Sequence, residues 1–404
     1  MFTTRITLSV PVPVGHRDEL ERRIFFVSSD IVDFELVADD EWIREVVLTS
    51  RVEPAAEEMA AKLDFVVAND LLTQRPVPPK VIWRSRERRR VPDDVFDQLR
   101  AAGLAGELGE GQVYLGGSLL ALMDHFDRAL TDLLRAHFDV REYRYPTLIP
   151  SKSLDTSGYI SSFPQNLMLV TRLHADVDVY RAFREEYAEH GGFHPSVLAS
   201  CDNVDYCLPP TMCYHTFGQY AGRVVDDGAP HVVTARGKAF RFESRYSTTL
   251  ERLWDFTIRE IVFMGHKDDV VAARERFMRA VFAYVDELGL DGRAEVASDP
   301  FFCNTDTADR VWAQRLLELK YELRLAVAGG RTISVGSFNF HDDFFGTSFG
   351  ITRADGMPIS SGCVGFGLER LIYAFICQHG LDPAGWPGAI AAAVADISRE
   401  AAST

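Results

Sequence analysis

The segment from Phe240 to Phe263 constrains the fold most, because it reads as a strand, a polar loop and a second strand. Arg241 and Glu243 are two residues apart, and side chains at that spacing project from one face of a strand. The hairpin carries five charged residues that a binding site could use: Arg241, Glu243, Arg252, Arg259 and Glu260. This density suits a site that grips a polyphosphate and a purine, although an ordinary charged hairpin is the alternative.

A second informative segment runs from Ser360 to Tyr373 and predicts a strand that leads into an apolar helix. Gly365 and Gly367 precede the helix, and Arg370 lies in its first turns. Glycines allow a ligand to approach the backbone closely, and a helix N-terminus favours anions. Two glycines before a helix are a weak signal alone. Their position after the Arg241 segment makes the combination of the two segments specific.

Together the two segments resemble motifs 2 and 3 of the class II aminoacyl-tRNA synthetase catalytic domain, over about residues 111–385. Ser118 to Pro150 loosely resembles motif 1. The resemblance implies an α+β fold with an antiparallel sheet flanked by helices. It also implies an ATP site formed by Arg241, Glu243, Arg252, Gly365, Gly367 and Arg370. Arg241 and Arg370 would be catalytic: Arg241 would hold the α-phosphate, Arg252 and Arg370 the β- and γ-phosphates, and Glu243 the adenine amino group.

A narrower resemblance links the chain to the atypical, zinc-dependent seryl-tRNA synthetases and to the related amino acid:carrier-protein ligases. It rests on Leu208 to Tyr214, Arg259-Glu260, Ser361 to Cys363, Ala297 to Phe302, Lys320 to Leu323 and Ser337 to His341. The zinc ligands that it implies are Cys213, Glu260 and Cys363. Two thiolates and a carboxylate are a credible zinc set, and three protein ligands leave one position open for the α-amino group of an amino acid.

The three implied ligands are far apart in the sequence, so no short cysteine spacing supports them. The alternative is that Cys213 and Cys363 are buried as small hydrophobic residues. We interpret the other four cysteines (Cys201, Cys207, Cys303 and Cys377) as structural, and we leave His215 and His341 out of the metal site.

The resemblance implies that ATP, with magnesium on its phosphates, activates an amino acid as an aminoacyl-adenylate. The class usually places a Glu on the strand before motif 3, but residues 331–339 contain none, and Asn339 is only a candidate there. We expect a small amino acid, because the bulky residues Trp254, Phe338 and Phe340 are near the site in sequence. The acceptor would be the phosphopantetheine thiol of an acidic carrier protein.

Two alternatives remain open: aminoacylation of tRNA by a seryl-tRNA synthetase, and a non-catalytic regulatory paralogue. The net charge of −16 and the pI of about 5.2 disfavour tRNA, because phosphate binding requires excess Lys and Arg. The presence of Arg241, Glu243, Arg252 and Arg370 weakens the paralogue hypothesis. We therefore favour the ligase, and the class resemblance implies a C2 homodimer.

Residues 1–110 are predicted to form a separate α/β domain, in which a β-α-β-β-α order suggests a ferredoxin-like sandwich. We expect residues 111–404 to form the catalytic domain. The small domain could dock the acceptor. Between Lys80 and Arg90 six of eleven residues are basic. This run is either a solvated, salt-bridged segment or a docking patch for an acidic partner, a phosphate group or RNA.

The sequence contains no run of about 18 apolar residues, so no transmembrane helix is expected. The N-terminus reads as a strand and lacks the features of a signal peptide. Six cysteines are few for a disulfide scaffold of 404 residues. These features predict a cytoplasmic protein.

Overall fold

The N-terminal residues form a three-stranded antiparallel sheet covered by two helices, in the order β1-β3-β2. In this computed structural model the described residues are 1–72, 80–226, 228–242, 249–299 and 307–402. The elements of the first unit are β1 (Phe2–Pro13), α1 (Arg17–Ile24), β2 (Ile31–Ala38), β3 (Trp42–Ser50) and α2 (Ala56–Val66). A π-helical turn, Val67–Leu71, continues α2. The predicted element order therefore matches the structure, with three strands in the sheet.

The hydrophobic core of the N-terminal unit ends at Leu71. The next strand, β4 (Val81–Arg84), pairs instead with the large sheet, and Val95 and Leu99 belong to the core beneath that sheet. The change of core therefore falls between residues 71 and 81. The sequence predicted a domain boundary at residue 110, whereas Val95, Phe96, Leu99 and Ala105 already belong to the core beneath the large sheet.

The larger unit contains most of the chain. After β4 it comprises α3 (Val95–Ala101), β5 (Ala105–Gly109), β6 (Gln112–Leu115), α4 (Ser118–Arg135), β7 (Val140–Tyr143), β8 (Ile149–Pro150), α5 (Ser151–Thr156), α6 (Tyr159–Ser162), β9 (Leu169–Leu173), α7 (Val177–Glu189), β10 (Cys201–Cys207), α8 (Cys213–Tyr220), β11 (Val224–Val225), β12 (His231–Phe240), β13 (Asp255–Gly265) and α9 (Lys267–Glu287). It continues with β14 (Gly292–Val296), α10 (Thr307–Leu316), β15 (Lys320–Ala326), β16 (Thr332–Asp342), α11 (Phe344–Phe349), β17 (Thr352–Arg353), β18 (Ser360–Gly367), α12 (Leu368–His379) and α13 (Gly388–Ala402). Short 3₁₀ helices are Val14–His16, Pro164–Asn166, Pro195–Ser200, Ala328–Gly330 and Pro383–Gly385.

The centre of the larger unit is an eight-stranded sheet in the order β4-β14-β15-β16-β18-β13-β12-β7. All its neighbouring strands are antiparallel except β12 and β7. Helices α4, α9 and α12 cover one face of this sheet. The predicted α+β architecture, an antiparallel sheet flanked by helices, is confirmed. No helix among the described residues is long and apolar enough to span a bilayer.

Strand β13 shows how the sheet separates core from site. Its side chains alternate between the two faces, as strand geometry requires. Ile261 and Phe263 pack into the helix-covered core, whereas Val262 and Met264 belong to a second cluster on the opposite face. Glu260 shares this second face, because it is two residues from Val262. The strand therefore directs Glu260 away from the helices and toward the opposite side of the sheet.

The basic run from Lys80 to Arg90 lies along the outer edge of the large sheet. Arg88 is within 3.5 Å of Asp291, and the Arg89 side chain donates to the backbone carbonyl of Gly289 at 2.6 Å. The Arg86 guanidinium lies 3.6 Å from Asp286. These contacts attach the run to the larger unit and agree with the salt-bridged alternative.

Candidate active site

A cleft of about 1050 Å³ opens on the face of the large sheet that α4, α9 and α12 leave uncovered. Its lining includes residues of strands β13, β14, β15, β16 and β18, of the segment between β12 and β13, and of α1 in the N-terminal unit. The predicted ATP residues that line it are Arg241, Arg252, Gly365, Gly367 and Arg370. Two segments that are far apart in the sequence therefore meet in one cavity. Glu243, the sixth predicted residue, lies outside the described residues.

Arg241 lies immediately after the last residue of β12. Its Nε donates to the carbonyl oxygen of Pro210 at 3.0 Å, and its guanidinium carbon lies 5.5 Å from the centre of the Phe256 ring. A guanidinium over an aromatic face gains a cation–π attraction and has its planar fork oriented. This geometry presents the Arg241 charge to the cleft.

Arg370 lies in the first turn of α12, directly after the glycines of β18. Its Nε donates to the Glu251 carbonyl oxygen at 2.6 Å, which connects α12 to the segment before β13. The neighbouring Glu369 is buried, and its two carboxylate oxygens accept from the backbone N–H of Thr257, each at 2.8 Å. Burial raises the pKa of Glu369. Two independent contacts thus fix the helix end that carries Arg370.

Cys213, Glu260 and Cys363 are brought together, and each is buried. One potential ligand atom from each side chain lies within 4.8 Å of those of the other two. The strand register explains part of this proximity. Glu260 is paired with Gly365, and Cys363 is two residues from Gly365 on the same face of the adjacent strand. Diagonal neighbours of this kind are within reach of each other. Cys213 arrives separately, as the first residue of α8.

Gly365 lies close to the side chains of β13. A Cβ atom at Gly365 would lie 3.1 Å from the Cδ1 atom of Ile258 and 3.4 Å from both carboxylate oxygens of Glu260. A side chain at this position would therefore require Ile258 to shift by a few tenths of an ångström and would contact the carboxylate. The close approach that the sequence suggested for this glycine has a structural counterpart here, in the space between β18 and β13.

The raised pKa values in the cluster indicate that a bound cation would stabilise it. Burial raises the pKa of Glu260 to about 7, although a hydrogen bond from Thr211 partly opposes this. A hydrogen bond with Cys213, burial and the nearby Glu260 carboxylate raise the pKa of Cys363 well above its usual value. Three acidic groups in a buried space cannot all ionise without a compensating charge. A divalent cation would supply that charge, so the donor set fits Zn²⁺.

Two polar side chains of β16 contact Cys363. Asn339 Nδ2 donates to the Cys363 Sγ at 3.4 Å, and His341 Nε2 lies 3.5 Å from the same sulfur. His341 Nδ1 is 3.1 Å from the Ser361 hydroxyl, and burial lowers the pKa of His341 to about 4. A neutral ring that accepts from Ser361 would donate to the sulfur. Asn339, the candidate for the strand before motif 3, thus lies beside Cys363.

A charged row on β14 and β15 also lines the cleft, and the sequence reasoning assigned it no role. Lys320, Glu322 and Arg324 are two residues apart and share one face of β15. Lys320 Nζ lies 2.5 Å from the carboxylate of Asp299, and this carboxylate holds the pKa of Lys320 above its ordinary value against the effect of burial. The alternating charges at 320, 322 and 324 were the signal that could have identified this row.

The aromatic residues that suggested a small substrate are placed differently from one another. Only Phe340 lines the cleft. Phe338 is fully buried in the helix-covered core, and Trp254 packs on Phe242 with ring centres 4.7 Å apart. The argument from Trp254 and Phe338 therefore has no support, because neither side chain is part of the cleft lining.

The fold and the site define a class II seryl-tRNA synthetase-like protein. The Methanopyrus kandleri SerRS, crystallised with A. aeolicus tRNASec, aligns with a TM-score of 0.71 over 98% of this chain and 96% of that chain, at 19% identity. The Type-2 serine–tRNA ligase of M. kandleri is 26% identical over 393 residues, which cover 89% of this chain and 74% of the relative. No family model matches the sequence.

A closer similarity in sequence identifies the family. Amino acid–[acyl-carrier-protein] ligase 1 of Bradyrhizobium diazoefficiens is 34% identical over 302 residues, which cover 74% of this chain and 89% of the relative. The chain belongs to the amino acid–[acyl-carrier-protein] ligase family and is a ligase. The predicted resemblance is confirmed.

Proposed function

We propose that this protein uses ATP to activate a small amino acid and transfers it to the phosphopantetheine thiol of an acidic carrier protein. The observation that carries the proposal is the convergence of Arg241, Arg252 and Arg370 on the same cleft as the buried cysteine–glutamate cluster. The family to which the chain belongs supports the choice of acceptor.

In the first half-reaction an oxygen of the amino acid carboxylate attacks the α-phosphorus of ATP. A phosphorus–oxygen bond forms, the bond to the β-phosphate breaks, and pyrophosphate leaves. Such chemistry needs positioning and charge neutralisation more than a base. Arg241 would hold the α-phosphate, and Arg252 and Arg370 the β- and γ-phosphates. Magnesium prefers oxygen ligands, and Glu251 and Glu322 are the carboxylates of the cleft that we assign to it.

Cys213, Glu260 and Cys363 would hold zinc, which when bound would offer an open coordination position to the α-amino group. The chain's own groups limit the side chain of the amino acid. Tyr214 and Phe345 line the cleft next to the cysteines, with ring centres 5.9 Å apart. We propose that these rings limit the size of the amino acid side chain.

In the second half-reaction the thiolate sulfur attacks the carbonyl carbon of the adenylate. A thioester forms and AMP leaves with the electrons of the broken carbon–oxygen bond. The charge of the N-terminal unit bears on the acceptor. Residues 1–72 contain seven basic and fifteen acidic residues, so they carry −8 of the total −16. Such a unit is poorly suited to tRNA phosphates, and we propose that the carrier docks on the larger unit.

Amino-acid-dependent exchange of pyrophosphate with ATP, measured across all common amino acids, tests activation. We expect exchange with a small amino acid, and Arg241→Lys should reduce it because a lysine lacks the planar fork. Transfer to a carrier that bears phosphopantetheine, with the unmodified carrier as control, tests the acceptor. Labelled tRNA without labelled carrier would instead favour the second candidate, tRNA aminoacylation, which the Type-2 serine–tRNA ligase similarity keeps open. No exchange with any amino acid would contradict both.

The resemblance of the region around α4 to motif 1 also leads us to propose a C2 homodimer. Leu120 on α4 is exposed in the single chain and is available for such a contact. Light scattering of the purified protein should give twice the chain mass of 45.3 kDa.

A further inference from the structure

Helix α7 projects from the larger unit without a core of its own. It has 13 residues, and none of its side chains, all of which the structure describes, is buried. An isolated helix of this length is marginal in water, and protein helices owe most of their stability to packing. Asp176 caps the N-terminus by accepting from the backbone N–H of Asp178 at 2.7 Å. The C-terminal end needs a comparable stabilising interaction.

The chain reverses direction at the C-terminus of α7. Gly191 has a φ of +67°, and the Gly192 N–H donates to the Tyr187 carbonyl oxygen at 3.1 Å. This hydrogen bond across six residues and the left-handed glycine are the features of a Schellman motif. The turn brings His194 back against the helix, so that its ring stacks on His190 with centres 4.1 Å apart.

Glu186 completes a group of three metal-ligating side chains. It lies four residues before His190, and residues at this spacing share one face of a helix. One potential ligand atom from each of Glu186, His190 and His194 lies within 4.8 Å of those of the other two. None of these residues belongs to the cleft, which is lined by other parts of the chain.

The chemistry of this group suits zinc. Two imidazoles and one carboxylate are typical zinc ligands. The cluster lies at the C-terminal end of a helix, where the helix dipole favours a positive charge. His194 Nδ1 is 2.7 Å from the Ser196 hydroxyl. The same nitrogen accepts from the backbone N–H of Ser196 at 3.3 Å, and these contacts orient the ring against His190.

We propose that Glu186, His190 and His194 form a second, structural zinc site, which fastens the C-terminal end of α7 to the loop that follows it. The site is separate from the cysteine cluster and from the proposed reaction. A bound ion would stabilise α7, which has no buried side chains, because it would link two turns of the helix to the segment that follows them.

Zinc titration of the chelator-treated full chain by calorimetry tests this proposal. The double variant His190→Asn/His194→Asn should bind one zinc equivalent fewer than the wild type, whatever the total. His174→Asn is the matched control, because His174 is also half-exposed and near Asp202 but outside the cluster. Glu186→Gln should weaken binding at this site by at least about tenfold. Equal stoichiometry in the double variant and the wild type would overturn the proposal.

Hydrogen–deuterium exchange gives a second readout. Zinc should slow exchange of the amides of residues 177–192 in the wild type and in His174→Asn, but not in the double variant. If zinc does not slow the amide exchange of residues 177–192 in the wild type, the structural role of the site is contradicted. Pyrophosphate exchange should be the same in all these proteins, so a failure of the proposed reaction and a failure of this site are distinguishable.

Discussion

The chain assembles the two groups of residues that could hold a metal ion in different ways. Glu186, His190 and His194 lie within nine consecutive residues and are brought together by one helical turn and one reversal of the chain. Cys213, Glu260 and Cys363 come from a helix and two strands, and all three are buried. The local group depends on one helix end and the turn that follows it, whereas the buried group requires the whole sheet. The two groups should therefore respond differently to mutation, pH and metal.

The largest expected effect comes from the buried group. Cys213→Ser and Cys363→Ser should each remove tightly held zinc and lower amino-acid-dependent pyrophosphate exchange by more than about 100-fold. The reason is that losing a metal ligand should reduce metal affinity more than losing a hydrogen bond made to a ligand. Metal analysis and the exchange assay measure both effects. Cys201→Ser, a cysteine outside the cluster, should behave like the wild type, and unchanged zinc in the Cys213 variant would exclude that ligand.

The next effect concerns the strand that carries Glu260. Arg259, its buried neighbour, donates from Nε and Nη2 to the Asp127 carboxylate at 2.7 and 2.8 Å and thereby joins β13 to α4. Arg259→Met should lower the free energy of unfolding by about 3–5 kcal/mol, because the buried Asp127 loses its bidentate partner and keeps only Arg236, 3.5 Å away. Denaturant unfolding measures this change.

The control for the Arg259 variant is an exposed ion pair. Lys267→Met removes the contact of Lys267 with Asp342 and should change the free energy of unfolding by no more than about 1 kcal/mol. Arg259→Met should also weaken zinc binding at the cysteine cluster and leave the site on α7 unaffected. Equal losses of zinc affinity at the cysteine cluster and at the site on α7 would mean that the two groups are not independent.

The pH dependence should separate the metal-free protein from the zinc-loaded protein. The pKa of Glu260 is about 7 in the folded chain, against 4.5 for an ordinary glutamate. The folded state therefore binds more protons than the unfolded state between these values, and stability should fall as pH rises from about 4.5 to 7. The limit of the effect is on the order of 3 kcal/mol.

Unfolding midpoints recorded across this pH range, with and without chelator, measure the effect. Zinc should abolish this fall in stability with rising pH, because the ion binds the ionised carboxylate of Glu260. Glu260→Gln should remove it as well, because no proton is then exchanged. A metal-free protein whose stability rises over the same range would contradict the burial of an uncompensated Glu260.

The smallest expected effect is that of the α7 group on the rest of the molecule. His190→Asn/His194→Asn should change the global free energy of unfolding by no more than about 0.5 kcal/mol, because both side chains are exposed. Pyrophosphate exchange should also stay within about twofold of the wild type. A large loss in either measurement would show that the local group is coupled to the buried one.

Much of the site could be predicted where a local pattern carried the information. The order of the Arg241 segment and the glycine–arginine segment predicted a common cleft, and both segments line it. Glu322 and Lys320 were missed because their role appears only when β15 turns one face to that cleft. Phe338 does not support the substrate argument, because its side chain is fully buried in the helix-covered core.

The sequence by itself indicated elements such as the N-terminal strand and the helix after Gly367, because alternation and helical spacing are properties of short stretches of chain. It also contained the spacing of Glu186, His190 and His194, which one helix end brings together. Only the tertiary structure decided that β13 and β18 are neighbours in a register that aligns Glu260 with Gly365. Strand pairing joins residues far apart in the chain, so the meeting of Cys213, Glu260 and Cys363 depends on the folded sheet.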